Sequence, residues 1–349
     1  MKIALICPSN MLYMPYVNNY EIILQKNLVQ YEIINWDRFH IEDKDHPFKY
    51  RDSKIGHQRN VLDYYRFSKF ISKKIKSDKY DKVIIFGIQM VFFLKDILLN
   101  EYTGKFILDI RDHNKIVRFF NIKRIIENSS FTVISSPGYK EWLPQSNKYI
   151  VNHNTQVNSL EDLKEMDIKF KDKKIEIANI GAIRDYSINI GFINSLINSS
   201  KFNLYFHGEG NINKNISRYL ETNNIKNVYL TGRYDKDDEI DLYKQSDLIN
   251  LLVPNNHINN RTLLPNRLYN AALYAKPAIA YEGTYLADQI RFYNLGMIIN
   301  SFDGIEKNIR NYISNIDEKT YRKGRTSFFE NIIKENCYFI TKMQNFIGV

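Results

Sequence analysis

Between Arg261 and Tyr281 the sequence runs Arg-Thr-Leu-Leu-Pro-Asn-Arg-Leu-Tyr-Asn-Ala-Ala-Leu-Tyr-Ala-Lys-Pro-Ala-Ile-Ala-Tyr, an order of residue types that suits the binding of a phosphate. Pro265 fits the first turn of a helix, where a missing N–H costs nothing, and Leu268, Ala271 and Ala272 mark an apolar face behind it. The first turn of such a helix leaves backbone N–H groups free to face an anion. Asn266 and Arg267 would stand there, Arg267 adding a full positive charge, before Lys276-Pro277 turns the chain into a strand.

Three shorter motifs follow apolar runs of strand length: Gly181-Ala182-Ile183-Arg184, His207-Gly208-Glu209-Gly210 and Thr231-Gly232-Arg233. Glycine lets backbone amides approach a phosphate, and an arginine such as Arg184 can bridge its oxygens. Three successive strands ending in glycine would clear a crevice beyond the carboxyl edge of a sheet, where open α/β sheets bind ligands. His207 alone suits a turn as well as a contact. In the first half, Asp112 and His113 stand together after a strand, and Asn10 lies in the 8–16 loop that should border the cleft.

The elements needed to position these residues are legible in the apolar pattern. Short apolar runs alternate with stretches of helical period, the mark of βαβ units and a parallel sheet. Strands are expected at 2–7, 32–36, 82–86, 105–110, 131–135 and 149–152, with helices at 15–28, 58–76, 89–99 and 137–143. A charged stretch over 158–174 reads as a linker. Strands then resume at 175–180, 203–206, 228–230, 248–252, 277–280 and 296–299, and a helical tail covers 305–346. The expected fold class is α/β, two Rossmann-like parallel-sheet domains facing a cleft, with a helical C-terminal tail. A first domain would occupy 1–165, a second 166–325, and a last helix, 326–349, would pack back on the first.

The 261–281 run resembles the donor-binding segment of retaining glycosyltransferases of the GT-B fold, particularly the GT4-like group (glycosyltransferase group 1) of bacterial capsule and exopolysaccharide assembly. In that group a Pro-Asn-Lys/Arg-Leu-Tyr/Phe-Glu helix precedes Gly-Lys-Pro and a strand. The 181–184, 206–210, 228–232 and 242–247 segments match further elements in the same order, and 109–112, 133–136 and 151–154 match more loosely, about 300 residues in all. The resemblance implies a nucleotide-sugar donor, UDP- or GDP-linked, in the second domain, held by Gly181, Arg184, His207, Gly208, Gly210, Gly232, Arg233, Pro265, Asn266, Arg267 and Asn270. It implies no further cofactor and no metal, cations replacing one, and a glycan or polyprenyl-diphosphate-linked acceptor in the first domain. His113 and Asp112 would serve catalysis there. The family places two glutamates eight positions apart, the first facing the sugar and the second the donor ribose. This chain has Thr262 and Asn270 instead. An amide can still bond ribose hydroxyls, whereas Thr262 brings no negative charge to the catalytic position. A second reading is therefore a non-catalytic relative that stabilises a partner transferase.

Length and composition agree with two ordinary globular cores. Cys7 and Cys337 lack the spacing of a redox pair or metal knuckle and read as reduced thiols. No signal-like or spanning apolar run occurs, so a cytoplasmic location is expected. The formal net charge of +10 invites nucleic acid or an anionic surface. No nucleic-acid module is recognisable, and no Gly-x-Gly-x-x-Gly follows the first strand, against a dinucleotide-dependent dehydrogenase. The 59–76 stretch interleaves Arg66, Lys69, Lys73, Lys74 and Lys76 with Leu62, Tyr65, Phe70 and Ile71, a basic amphipathic pattern suited to peripheral contact with the inner membrane face.

Overall fold

Strands covered on both faces read as unbroken apolar runs, and the sequences Ile3-Ala4-Leu5-Ile6, Val83-Ile84-Ile85-Phe86 and Phe106-Ile107-Leu108 do so. The computed structural model, which describes residues 1–42, 49–165 and 174–349, buries all three in the middle of a sheet. Residues 166–173 of the expected linker lie outside the described residues. The chain divides into two compact units, Met1–Asn154 with Lys334–Val349, and Thr155–Ile333.

The first unit runs β1 (Lys2–Cys7), α1 (Asn18–Lys26), β2 (Gln30–Asn35), α2 (Val61–Asp78), β3 (Lys82–Phe86), α3 (Ile88–Glu101), β4 (Phe106–Ile110), α4 (Ile122–Asn128), β5 (Phe131–Ile134) and β6 (Tyr149–Val151). Its six strands are all parallel, in the order β2-β1-β3-β4-β5-β6. The expected helix over 137–143 is a short 3-10 turn at Pro137–Glu141, started by Ser136, whose hydroxyl accepts from the Gly138 amide.

The second unit runs β7 (Ile175–Ile180), α5 (Tyr186–Ser195), β8 (Phe202–His207), α6 (Asn213–Thr222), β9 (Val228–Gly232), α7 (Glu239–Gln245), β10 (Leu248–Asn250), α8 (Ile258–Thr262), α9 (Asn266–Leu273), β11 (Ala278–Tyr281), α10 (Tyr285–Phe292), β12 (Gly296–Ile299) and α11 (Ile305–Asn315). Its strands are again parallel, in the order β12-β11-β10-β7-β8-β9. Strand order reverses between β7 and β10, which opens a crevice at their carboxyl ends. The edge strand β9 shows the alternating burial of a one-sided strand.

The helical tail breaks after Asn315, and α12 (Glu318–Ile347) follows. Its first part gives Phe328, Phe329 and Ile332 to an apolar cluster with Leu268, Tyr269 and Ala272 of α9. Its last part gives Phe339, Met343, Phe346 and Ile347 to the core beneath β1, β3 and β5. Arg325 is buried and donates to the carbonyls of Ala272, Leu273 and Lys164 at 2.6–3.0 Å, capping the C-terminal end of α9. Among the described residues no helix is long and apolar enough to cross a membrane.

Candidate functional site

Every glycine-bearing motif of the second unit lies at the carboxyl edge of its sheet, and the close approach of two loops explains two of those glycines. The Gly181 amide donates to the His207 carbonyl at 2.8 Å, and the Gly208 amide to the Gly232 carbonyl at 2.7 Å. A Cβ on Gly208 would stand 2.1 Å from the Gly181 oxygen, and one on Gly210 1.8 Å from the Ile183 oxygen. Neither backbone could approach so closely with a side chain in the way. Gly181 and Gly232 have open space at the Cβ position but positive φ, +110° and +75°. His207 is buried, stacked on Tyr205, with Nδ1 2.9 Å from the Thr231 hydroxyl. Burial lowers its pKa, so the ring is neutral near pH 7. Arg184 and Arg233 are exposed.

Arg267 lies at the topological switch. One guanidinium nitrogen donates to the Asn179 side-chain oxygen on β7 and comes within 3.5 Å of the Asn250 carbonyl on β10. Among the described residues no carboxylate lies within ion-pairing distance of it. Burial pulls its pKa down, and the positive field of Arg184 adds to that, against the opposing Tyr243, Tyr234 and Asp185. The Asn179 amide nitrogen is buried and makes no hydrogen bond among the described residues. A half-buried cation held, among the described residues, by neutral oxygens has lost part of the hydration that an ion pair would replace. Helix α9 starts beside it, at Asn266, with Pro265 one position earlier than expected, as the cap rather than in the first turn. Pro265 offers no side-chain cap to its amides, and Asn266 is exposed.

Asn270, one turn along α9, donates to Glu239 Oε1 at 2.6 Å. Thr262 is fully buried and donates its hydroxyl to the Ile258 carbonyl at 2.7 Å, within its own short helix. Glu239, a buried carboxylate in this cluster, escapes sequence reading because it lies 31 residues from Asn270 in a run of acids, Asp235, Asp237, Asp238 and Asp241, that looks like a solvated helix start.

In the first unit, His113 follows β4 and packs edge-on against Trp142 at 4.9 Å. Burial, and then Arg118 and Lys115, hold its pKa below 6.5. Asp112 is exposed. Asp109, by contrast, is fully buried under bidentate bonds from Arg111 at 2.6 and 2.7 Å and a 2.6 Å bond from the Tyr20 hydroxyl, a framework pair that fixes the β4 loop. Asn10 is fully buried, its amide donating to Asp37 at 2.7 Å and Glu42 at 3.0 Å and accepting from the Phe39 amide. It shapes the loop from within. Burial raises the Asp37 pKa, but Arg51, Asn10 and two backbone amides outweigh it and hold the carboxyl below its ordinary value. On α2, Arg66, Lys69, Lys73 and Lys76 are exposed, with Val61, Leu62 and Tyr65. Arg59 turns inward, its side chain 1% exposed against Asp52.

No family model matches the chain, and no curated protein matches it. Solved structures do. Sucrose-phosphate synthase from Thermosynechococcus elongatus is 11% identical, with a TM-score of 0.67 over 99% of this chain and 97% of that one. HepE from Anabaena, in complex with UDP and glucose, is 11% identical with a TM-score of 0.66 over 99% and 100% of the two chains. The lipopolysaccharide outer core galactosyltransferase WaaB, in its apo form, is 14% identical with a TM-score of 0.64 over 98% and 99%. At such identities the likeness establishes the fold: two Rossmann-like domains of the GT-B type.

Proposed function

We propose that the chain is a glycosyltransferase of the GT4-like kind, moving a sugar from a UDP- or GDP-linked donor to a glycan or lipid-linked acceptor in surface polysaccharide synthesis. The observation that carries the reading is the half-buried guanidinium of Arg267, with no carboxylate partner among the described residues, at the switch point of the second sheet. A diphosphate supplies the missing anion. Arg184 and the uncapped start of α9 add further positive potential. As the bond from sugar to diphosphate breaks, negative charge grows on the leaving phosphate, and a cation fixed there beforehand stabilises that state more than the ground state. That is how the transfer proceeds without a metal. Gly181, Gly208, Gly210 and Gly232 keep the crevice open, with His207 and Arg233 on its rim.

Transfer with retention needs the acceptor hydroxyl on the face the donor leaves, the departing phosphate taking its proton. His113, neutral near pH 7, orients that hydroxyl with Asp112. HepE was solved with UDP and glucose, and WaaB is named a galactosyltransferase of the lipopolysaccharide core, which supports a nucleotide-sugar donor and a surface glycan. The exposed basic and apolar residues of α2 support work at the cytoplasmic face of the membrane.

Incubating the purified chain with UDP- and GDP-sugars and an acceptor panel should release nucleoside diphosphate, and Arg267→Ala should abolish the release. The sealed Thr262 hydroxyl and the neutral Asn270 favour a second reading, a non-catalytic partner of another transferase. Nucleotide binding without turnover across the panel would decide for it.

A further inference from the structure

Two opposite charges lie near the start of α9, Arg267 and Glu239, and among the described residues they form no ion pair with each other. Arg267 and Asn270 lie on the same face of α9. Asn270 holds a carboxylate, Glu239 Oε1, at 2.6 Å, while Arg267 is held by Asn179. Glu239 is 9% exposed and comes from the first residue of α7. Its other oxygen pairs with Lys236, whose side chain is 82% exposed and therefore leaves the carboxylate easily. Tyr234 and Tyr243 feel both charges. Burial pushes Tyr234 up to about 12, Glu239 adding to the rise and Arg267 opposing it. The Tyr243 hydroxyl is buried under the same two fields. The site is thus polarised, with a positive end at the strand crevice and a negative end one turn down α9, each fixed by a neutral amide.

We infer that Glu239, steered by Asn270, binds the ribose hydroxyls of the donor nucleotide, so that the carboxylate on α7 sets the direction in which the nucleotide lies. A carboxylate accepts two hydroxyl hydrogens at once and repels phosphate, while the guanidinium does the reverse. A nucleoside diphosphate carries those two chemistries at its two ends. Asn270 has no charge of its own, and its amide nitrogen is already given to Glu239. Asn270 is therefore the positioning residue and Glu239 the one that touches the ribose. The inference rests on the nucleotide-sugar reading above.

Calorimetric titration of the purified protein with UDP and GDP, and with their 2′-deoxy and 3′-deoxy forms, separates the two. The wild type should bind the ribonucleotide about tenfold or more tightly than the deoxy forms, the worth of hydrogen bonds to a charged group. In Glu239→Gln that preference should disappear, with affinity for the deoxy forms little changed. In the double variant E239Q with N270E, a carboxylate restored on α9 should bring the preference back, which a purely structural role for Glu239 would not. Equal loss of ribose and deoxy binding in E239Q, or an undiminished preference, overturns the inference while leaving the transferase reading standing. A wild type that binds no nucleotide overturns both.

Discussion

A guanidinium moved out of water gives up hydration that neutral oxygens replace only in part. Arg267, half-buried, has accepted part of that loss beside Asn179 and Asn250, with no carboxylate to recover it among the described residues. The sequence marks the residue but not this environment, because neither strand partner is near it in the chain. Asn10, Asp109 and Thr262 teach the complement. Each stands in a segment that the sequence singles out, and each has its polar atoms bonded inside the fold. His113 differs from these three in what pH does to it. Its folded pKa lies below 6.5, so as pH falls through that value the unfolded chain takes up the proton first and stability drops until the folded ring titrates as well. Melting temperatures from pH 7.5 to 5 should therefore fall less in His113→Asn than in the wild type. Parallel profiles would remove the burial of His113 from the account.

Helices and strands were legible where the pattern is repetitive. The twelve strands among the described residues lie within a residue or two of the expected runs, most of them because parallel strands buried on both faces leave unbroken apolar sequences. What the pattern hides is contact between loops. The approach of the 208–210 turn to the 181–183 turn sorts the glycines into two kinds. Gly210→Ala should push against the Ile183 oxygen at 1.8 Å, lower stability by about 1–3 kcal/mol, and weaken nucleotide binding by shifting the loop that leads to Arg184. Gly232→Ala meets open space, so only its backbone at φ +75° is strained, at about 1 kcal/mol, and it should lose less binding than Gly210→Ala. Denaturant unfolding and nucleotide titration of both variants distinguish them. Equal effects would mean the loops do not touch as described. Glu239 was hidden for the same reason as the loop contact, since nothing in an acidic helix start announces which carboxylate turns inward.

At the scale of the molecule, two parallel sheets of six strands are served by one long last helix, whose first part belongs to the core around α9 and whose last part completes the core around β1. The tail reads in sequence as helical, with a last helix, 326–349, expected against the first domain, whereas Phe328, Phe329 and Ile332 join the cluster around α9. Its division between two cores depends on which apolar face meets which sheet, and periodicity cannot say that. The net charge of +10 is likewise ambiguous in sequence, and burial narrows it, turning Arg59 inward and leaving Arg66, Lys69, Lys73 and Lys76 in solvent. Co-sedimentation should favour vesicles containing anionic lipid over neutral ones, and replacing those four cations with Gln should remove the preference. Equal sedimentation would take the membrane from the proposal and leave the transferase. A nucleoside diphosphate held by Arg267 in the folded state raises stability by mass action, so thermal melting across UDP, GDP, ADP, TDP and CMP donors reads that binding out. At least one UDP- or GDP-linked donor should raise the melting temperature of the wild type and leave Arg267→Ala unmoved, whereas a flat response across the whole panel would contradict the account.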